Sequence, residues 1–190
     1  MITARRRWLW RTAVVLAAGA AVLTMLAGPY KLLLGSVRGS TSDDRPAPCL
    51  PGQAVHILDS PHISAAAAAR VHYNSEPPTS GPHFAFAAPP GIYDHPLPDG
   101  LTVHALEHGH VDIQYGTGVS RSDVRSLEQL AKHYAKDVLL APRPSLGTTT
   151  ALTAWGRIDH LDHLDHDRIV RFIVKLRGRY DHKWTRARDC

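Results

Sequence analysis

Cysteine is nearly missing from the chain: Cys49 and Cys190 are the only two among 190 residues. With no Cys-x-x-Cys pair, dithiol redox chemistry of the thioredoxin type is excluded. Methionine is as scarce, confined to Met1 and Met25. A domain without methionine, whose cysteines lie at its extremes, lacks the soft ligands that favour Cu(I). There is no Gly-x-Ser-x-Gly elbow, and Ser80 near His83 is the only tempting nucleophile–base pair. Ser80 stands before Gly81-Pro82, where a turn residue is the simpler assignment. No glycine-rich loop can cradle a phosphate, so no nucleotide cofactor is expected. Acidic residues are absent from the first 31 positions, which hold Arg5, Arg6, Arg7, Arg11 and Lys31. Removing those five from 22 basic residues leaves 17 against 17 acidic ones. The basic excess therefore belongs to a terminal arm, and nucleic acid is not an expected partner of the rest. The length allows one ordinary domain with an appendage, and 44% apolar content argues against a wholly disordered chain.

One long apolar run is present. Trp8 to Ala27 is interrupted only by Arg11, Thr12 and Thr24, and its flanks extend it to the ~20 residues that span a bilayer. The preceding arginines place the N-terminus in the cytoplasm and the chain beyond Lys31 outside. A cleaved signal peptide is the alternative, but Leu26-Ala27-Gly28-Pro29 makes a poor cleavage site. Either way the remainder is expected to be extracytoplasmic. The predicted organisation is a basic tip and transmembrane anchor over residues 1–34, a small, polar linker over 35–48, and one domain over 49–190. In an oxidising compartment Cys49 and Cys190 can pair; two unrelated thiols are the alternative.

Within the domain, Ser122 is expected to cap a helix over Asp123–Lys136, with Val124, Leu127, Leu130, Ala131 and Tyr134 on its buried stripe. Asp165 should cap a second helix, burying Ile169, Val170, Phe172, Ile173 and Leu176 and stopping at Gly178. Val111–Tyr115, Val138–Ala141 and Thr149–Ile158 are expected strands, which gives an α+β fold. From Asn74 to Asp99 seven prolines exclude regular structure, while Tyr73, His83, Phe84, Phe86, Tyr93 and His95 argue for order. A long proline-rich ordered loop wrapped over a site is the expectation.

Thirteen histidines stand out. His104 and His108 lie at i, i+4, one turn apart on a short helix ended by Gly109, the spacing that offers two imidazoles to one ion. Glu107 beside them completes an H-x-x-E-H order, but without the long helices of a zinc peptidase. His83 is the expected third ligand, and His62 and His72 are further candidates. Tyr73 and Glu107 are expected hydrogen-bond partners of the ligands, or Glu107 a general base if the protein is an enzyme. Imidazoles suit zinc or copper(II). The competing reading has these histidines only holding the loop, with no metal. The Asp159–Asp167 run repeats Asp-His every three residues; a solvated helix start is expected there in preference to a weak metal site.

Tyr73-x-x-x-Pro77-Pro78-Thr79-Ser80-Gly81-Pro82-His83, Gly91-x-Tyr93, Val103-His104-x-Leu106-Glu107-His108-Gly109 and Ala154-Trp155-Gly156 closely resemble a bacterial family catalogued as domain of unknown function 3105. The resemblance runs from about His62 to Gly178. It implies an N-terminal apolar segment followed by one extracytoplasmic domain, and it implies no activity. Three function classes remain open: a metal-binding or delivery protein, a metal-dependent hydrolase or oxidoreductase, and an envelope scaffold with a protein partner.

Overall fold

Val111 and Ile113 face one side of a strand, and Asp112 and Gln114 the other, all four buried. A strand buried on both faces needs cover on both, and the fold supplies it. The computed structural model describes residues 50–184; the expected anchor, linker and Cys49–Cys190 pairing lie outside the described residues. Among the described residues, no helix is long and apolar enough to cross a membrane.

The elements in order are β1 (Gln53–Ala54), α1 (Ala65–Ala68), β2 (Gly91–Ile92), α2 (Asp99–Glu107), β3 (Val111–Tyr115), α3 (Arg121–His133), β4 (Val138–Pro142), a 3-10 turn (Pro144–Leu146), β5 (Thr150–Ala154), β6 (Arg157–Leu161) and α4 (His166–Leu176). The six strands form one mixed sheet in the order β1-β6-β5-β3-β4-β2. β3 and β4 are parallel, as a connection through α3 requires, and β5 returns antiparallel to β3. This is the expected α+β architecture.

One face carries the main core. Val111, Ile113, Val138, Leu140 and Leu152 pack there against Leu127, Leu130 and Ala131 of α3 and Ile169, Phe172, Ile173 and Leu176 of α4. The other face is covered by α2 and the proline-rich loop, with Ala88, Ala105 and Leu139 in contact. Val103 and Leu106 of α2 meet Trp155 and Tyr180 at its side. At the sheet edge the Arg157 guanidinium donates to the carbonyls of Leu50, Pro51 and Gly52, which pins the incoming chain to β6.

Three local expectations need correction. The cap of α3 is Ser120, not Ser122: its Oγ accepts from the Asp123 N–H at 3.1 Å, so the helix starts and ends earlier than predicted. Thr149–Ile158 is not one strand but a hairpin, because Trp155-Gly156 turns the chain and pairs Ala154 with Arg157. The Asp-His run is a helix start only at its end, in His166 and Asp167; Asp159, His160 and Leu161 belong to β6. Asp159 is buried there against Arg168, and Asp165 caps α4 as expected, accepting from the Arg168 N–H.

Candidate metal centre

The loop brings the first two candidate ligands together through backbone bonds. The Ile63 N–H donates to the His83 carbonyl at 2.7 Å, and the His83 N–H to the Pro61 carbonyl at 3.1 Å. This parallel bridge sets His62 beside His83 although they are far apart in sequence, with ring centroids 5.1 Å apart. Gly81, at φ +124°, makes the turn into Pro82-His83, and a Cβ there would press on the Tyr73 ring at 3.2 Å. The Tyr73 hydroxyl donates to the Pro82 carbonyl at 2.7 Å. Burial, with Asp99 adding, pushes the Tyr73 phenol up to about 12, so it stays a donor. Ser80 is buried, and its Oγ accepts from the Leu58 N–H at 3.0 Å, the part of a turn residue and not of a nucleophile.

Helix α2 supplies the rest. Residues 104, 107 and 108 are at i, i+3 and i+4, so they share one face. His104 and His83 lie 4.7 Å apart by ring centroid, and His104 and His62 5.2 Å. Ligand atoms of His62, His83, His104 and Glu107 all fall within 4.8 Å of one another; His83, His104 and Glu107 are buried and His62 is exposed. His108 is 2.9 Å from His104 Nε2 through its own Nε2, but it groups with the exposed Asp181 and His182. His72 is exposed and outside both groups, as are His160, His163 and His166.

Two of these rings are oriented by carbonyls that can only accept. His83 Nδ1 donates to Gly81 O at 2.8 Å and His104 Nδ1 to Phe84 O at 2.6 Å. In each neutral ring the lone pair is thereby placed on Nε2, the atom turned into the cluster. Burial holds His104 below the ordinary imidazole range, and its three histidine neighbours act the same way, against the Phe84 bond. The His83 Nε2 is buried without a hydrogen bond. Glu107 Oε2 lies 3.2 Å from it, off the hydrogen-bonding direction. The other carboxylate oxygen, Oε1, accepts from Ser60 Oγ at 2.9 Å. An unpartnered nitrogen among three imidazoles, two of them buried, and a buried carboxylate makes a donor set that could hold a metal ion.

The family model for Protein of unknown function (DUF3105) matches residues 64–189, about two thirds of the chain. The chain belongs to this DUF3105 family. The match takes in His83, His104, Glu107 and His108, and it runs past Gly178 through the tail bearing Asp181 and His182. His62 stands two residues before the matched part of this DUF3105 chain. No curated protein and no solved structure matches the chain.

Sequence reasoning placed Glu107 beside the ligands, whereas its carboxylate lies among them. It ranked His62 behind His83, though the pairing of the two is a backbone bridge with no short-range signature. It missed Asp181 and His182, which reach the site through a tertiary contact of the tail.

Proposed function

We propose that the protein is a membrane-anchored, extracytoplasmic metal-binding protein that holds zinc or copper(II) through His62, His83, His104 and Glu107. The observation that carries this reading is the convergence of four ligand atoms around a buried His83 nitrogen that has no hydrogen bond. Leaving such a group unsatisfied costs about 1–3 kcal/mol, and coordination removes that cost. The absence of methionine beyond Met25 favours zinc or copper(II) over Cu(I). With Glu107 inside the ligand set and tied by Ser60, holding or delivering an ion fits better than hydrolysis with Glu107 as a free base. The apolar run Trp8–Ala27 with its leading arginines supports the anchor and the outward orientation.

The test is metal content by inductively coupled plasma mass spectrometry on the full chain, purified in detergent without a histidine tag. His83→Ala and His104→Ala are measured alongside. Bound zinc or copper in the wild type, lost in both variants, is the expected result. A folded wild type that takes up no metal after reconstitution would overturn the reading and leave the histidines as loop architecture. Protease treatment of spheroplasts tests the orientation: residues beyond the linker should be cleaved from outside.

A further inference from the structure

His182 is the one non-glycine residue at positive φ among the described residues, at φ 54°. A left-handed backbone is uncommon for residues with a side chain and persists where the surroundings hold it. His182 lies in the tail after α4, where Tyr180 and Trp184 bridge antiparallel across it. Its N–H donates to the Glu107 carbonyl at 3.4 Å. This backbone path lays its ring 4.8 Å from that of His108, edge to face. Its Nδ1 is 3.6 Å from Glu107 Oε2, and its Nε2 is 3.9 Å from Asp181 Oδ1.

His108 stands between the two groups. One of its nitrogens faces His104 Nε2 at 2.9 Å and the other faces Asp181 Oδ1 at 3.3 Å. His104 Nε2 is a lone-pair atom because the ring's hydrogen goes to Phe84. His108 is therefore flanked by two electron-pair donors, and a neutral imidazole has one N–H for them. His108, Asp181 and His182 bring one ligand atom each within 4.8 Å, which is a cation site's donor set.

We propose that His108, Asp181 and His182 bind a second divalent cation beside the one in the buried cluster, so that the loaded centre is binuclear. The proposal rests on the metal reading of the buried cluster. Glu107 Oε2 lies between the two positions, 3.2 Å from His83 Nε2 and 3.6 Å from His182 Nδ1. The side chains of His108, Asp181 and His182 are 40%, 64% and 60% exposed, so the outer ion keeps coordination positions open to solvent. Mixed nitrogen and carboxylate donors at an open position suit zinc or copper(II) that exchanges, while the inner cluster retains its ion.

The full chain in detergent is stripped with a chelator, dialysed against zinc, and its zinc counted per chain. The same is done for Asp181→Ala and His182→Gly. Glycine accepts φ 54° without strain, so the metal-free His182→Gly chain should melt no lower than the wild type. Two zinc ions per wild-type chain and one in each variant is the expected result. One ion in all three proteins would overturn the second position and leave the buried one standing. Two ions in all three would place the second elsewhere and also overturn it. No zinc in any of them would defeat both readings together.

Discussion

A Cβ on Gly109 would lie 2.5 Å from the Tyr180 carbonyl oxygen and 3.0 Å from the Gly178 Cα. The backbone of Gly109 is also at φ +82°, and its carbonyl accepts from the Gly178 N–H at 2.8 Å. One residue thus ends α2 after the His104–His108 turn and lets the tail pass directly beneath it. Gly109→Ala should destabilise the fold by about 2–4 kcal/mol, from left-handed strain plus backbone displacement. Chemical denaturation checks this. A loss below about 1 kcal/mol would mean that the tail does not pack there.

Asp112 is fully buried, with Oδ2 accepting from Gln114 Nε2 at 2.6 Å and Oδ1 unpartnered. Burial pushes its carboxyl up to about 7; Asp99 adds to the rise, while Gln114 and Arg143 oppose it. Between about pH 4 and 7 the unfolded chain has lost this proton and the folded chain keeps it. Stability should therefore fall as pH rises across that window and level off above it, by an amount on the order of 4 kcal/mol. Asp112→Asn removes the titration, so its advantage over the wild type should grow from about pH 4 to 7. Denaturation midpoints of the two proteins at several pH values decide it, and a constant difference would refute the assignment.

Arg143 joins three pieces of chain. It makes a forked pair with Glu76 at 2.7 and 2.8 Å, and reaches Asp99 Oδ1 at 2.6 Å and Gln114 Oε1 at 3.2 Å. Burial alone would lower its pKa, but the bonds to Glu76 and Asp99 outweigh that and raise it. The Arg143 hydrogen bonds likewise hold Glu76 below the ordinary carboxylate range. Because Glu76 is more than half exposed, Arg143→Ala should cost about 2–3 kcal/mol, less than a fully buried pair. Arg143→Lys should recover under half of that, since a point charge cannot form the fork. Equal stability of the lysine variant and the wild type would show that charge alone suffices.

Ser60 fixes Glu107 through Oε1 and leaves Oε2 to the cluster. Ser60→Ala should weaken metal retention roughly 10–100-fold, as loss of a ligand's supporting hydrogen bond does, while the fold stays intact. Competition with a chromophoric chelator measures the change. An unaltered affinity would remove Ser60 from the site.

The range of each interaction decides how much of the fold was legible in the sequence. The start of α4 was legible because Asp165 and the Arg168 N–H are close in sequence, and β3 because its apolar–polar alternation is a local pattern. The cap of α3 was misplaced by two residues because Ser120 and Ser122 are chemically alike, and backbone direction alone chooses between them. The Trp155-Gly156 turn was concealed because strand-forming residues, Leu152 and Thr153 before it and Ile158 after it, continue across it. At the site, the i, i+4 pair on α2 is a local feature. By contrast, His62 depends on the bridge to His83, and Asp181 and His182 depend on Gly109 and the tail. The loop was recognisable as ordered from its composition, but not which of its atoms would face inward.

The bridge between His62 and His83 has a consequence for timing. Both chain segments are fastened by backbone hydrogen bonds, and the His83 and His104 rings are held by carbonyls, contacts in which no ion takes part. The conformational entropy of gathering these ligands is lost during folding, not during capture. Uptake by such a cluster is a matter of an ion shedding its water and passing His62. Its rate should then rise in proportion to ion concentration, with no plateau from a slow rearrangement of the protein.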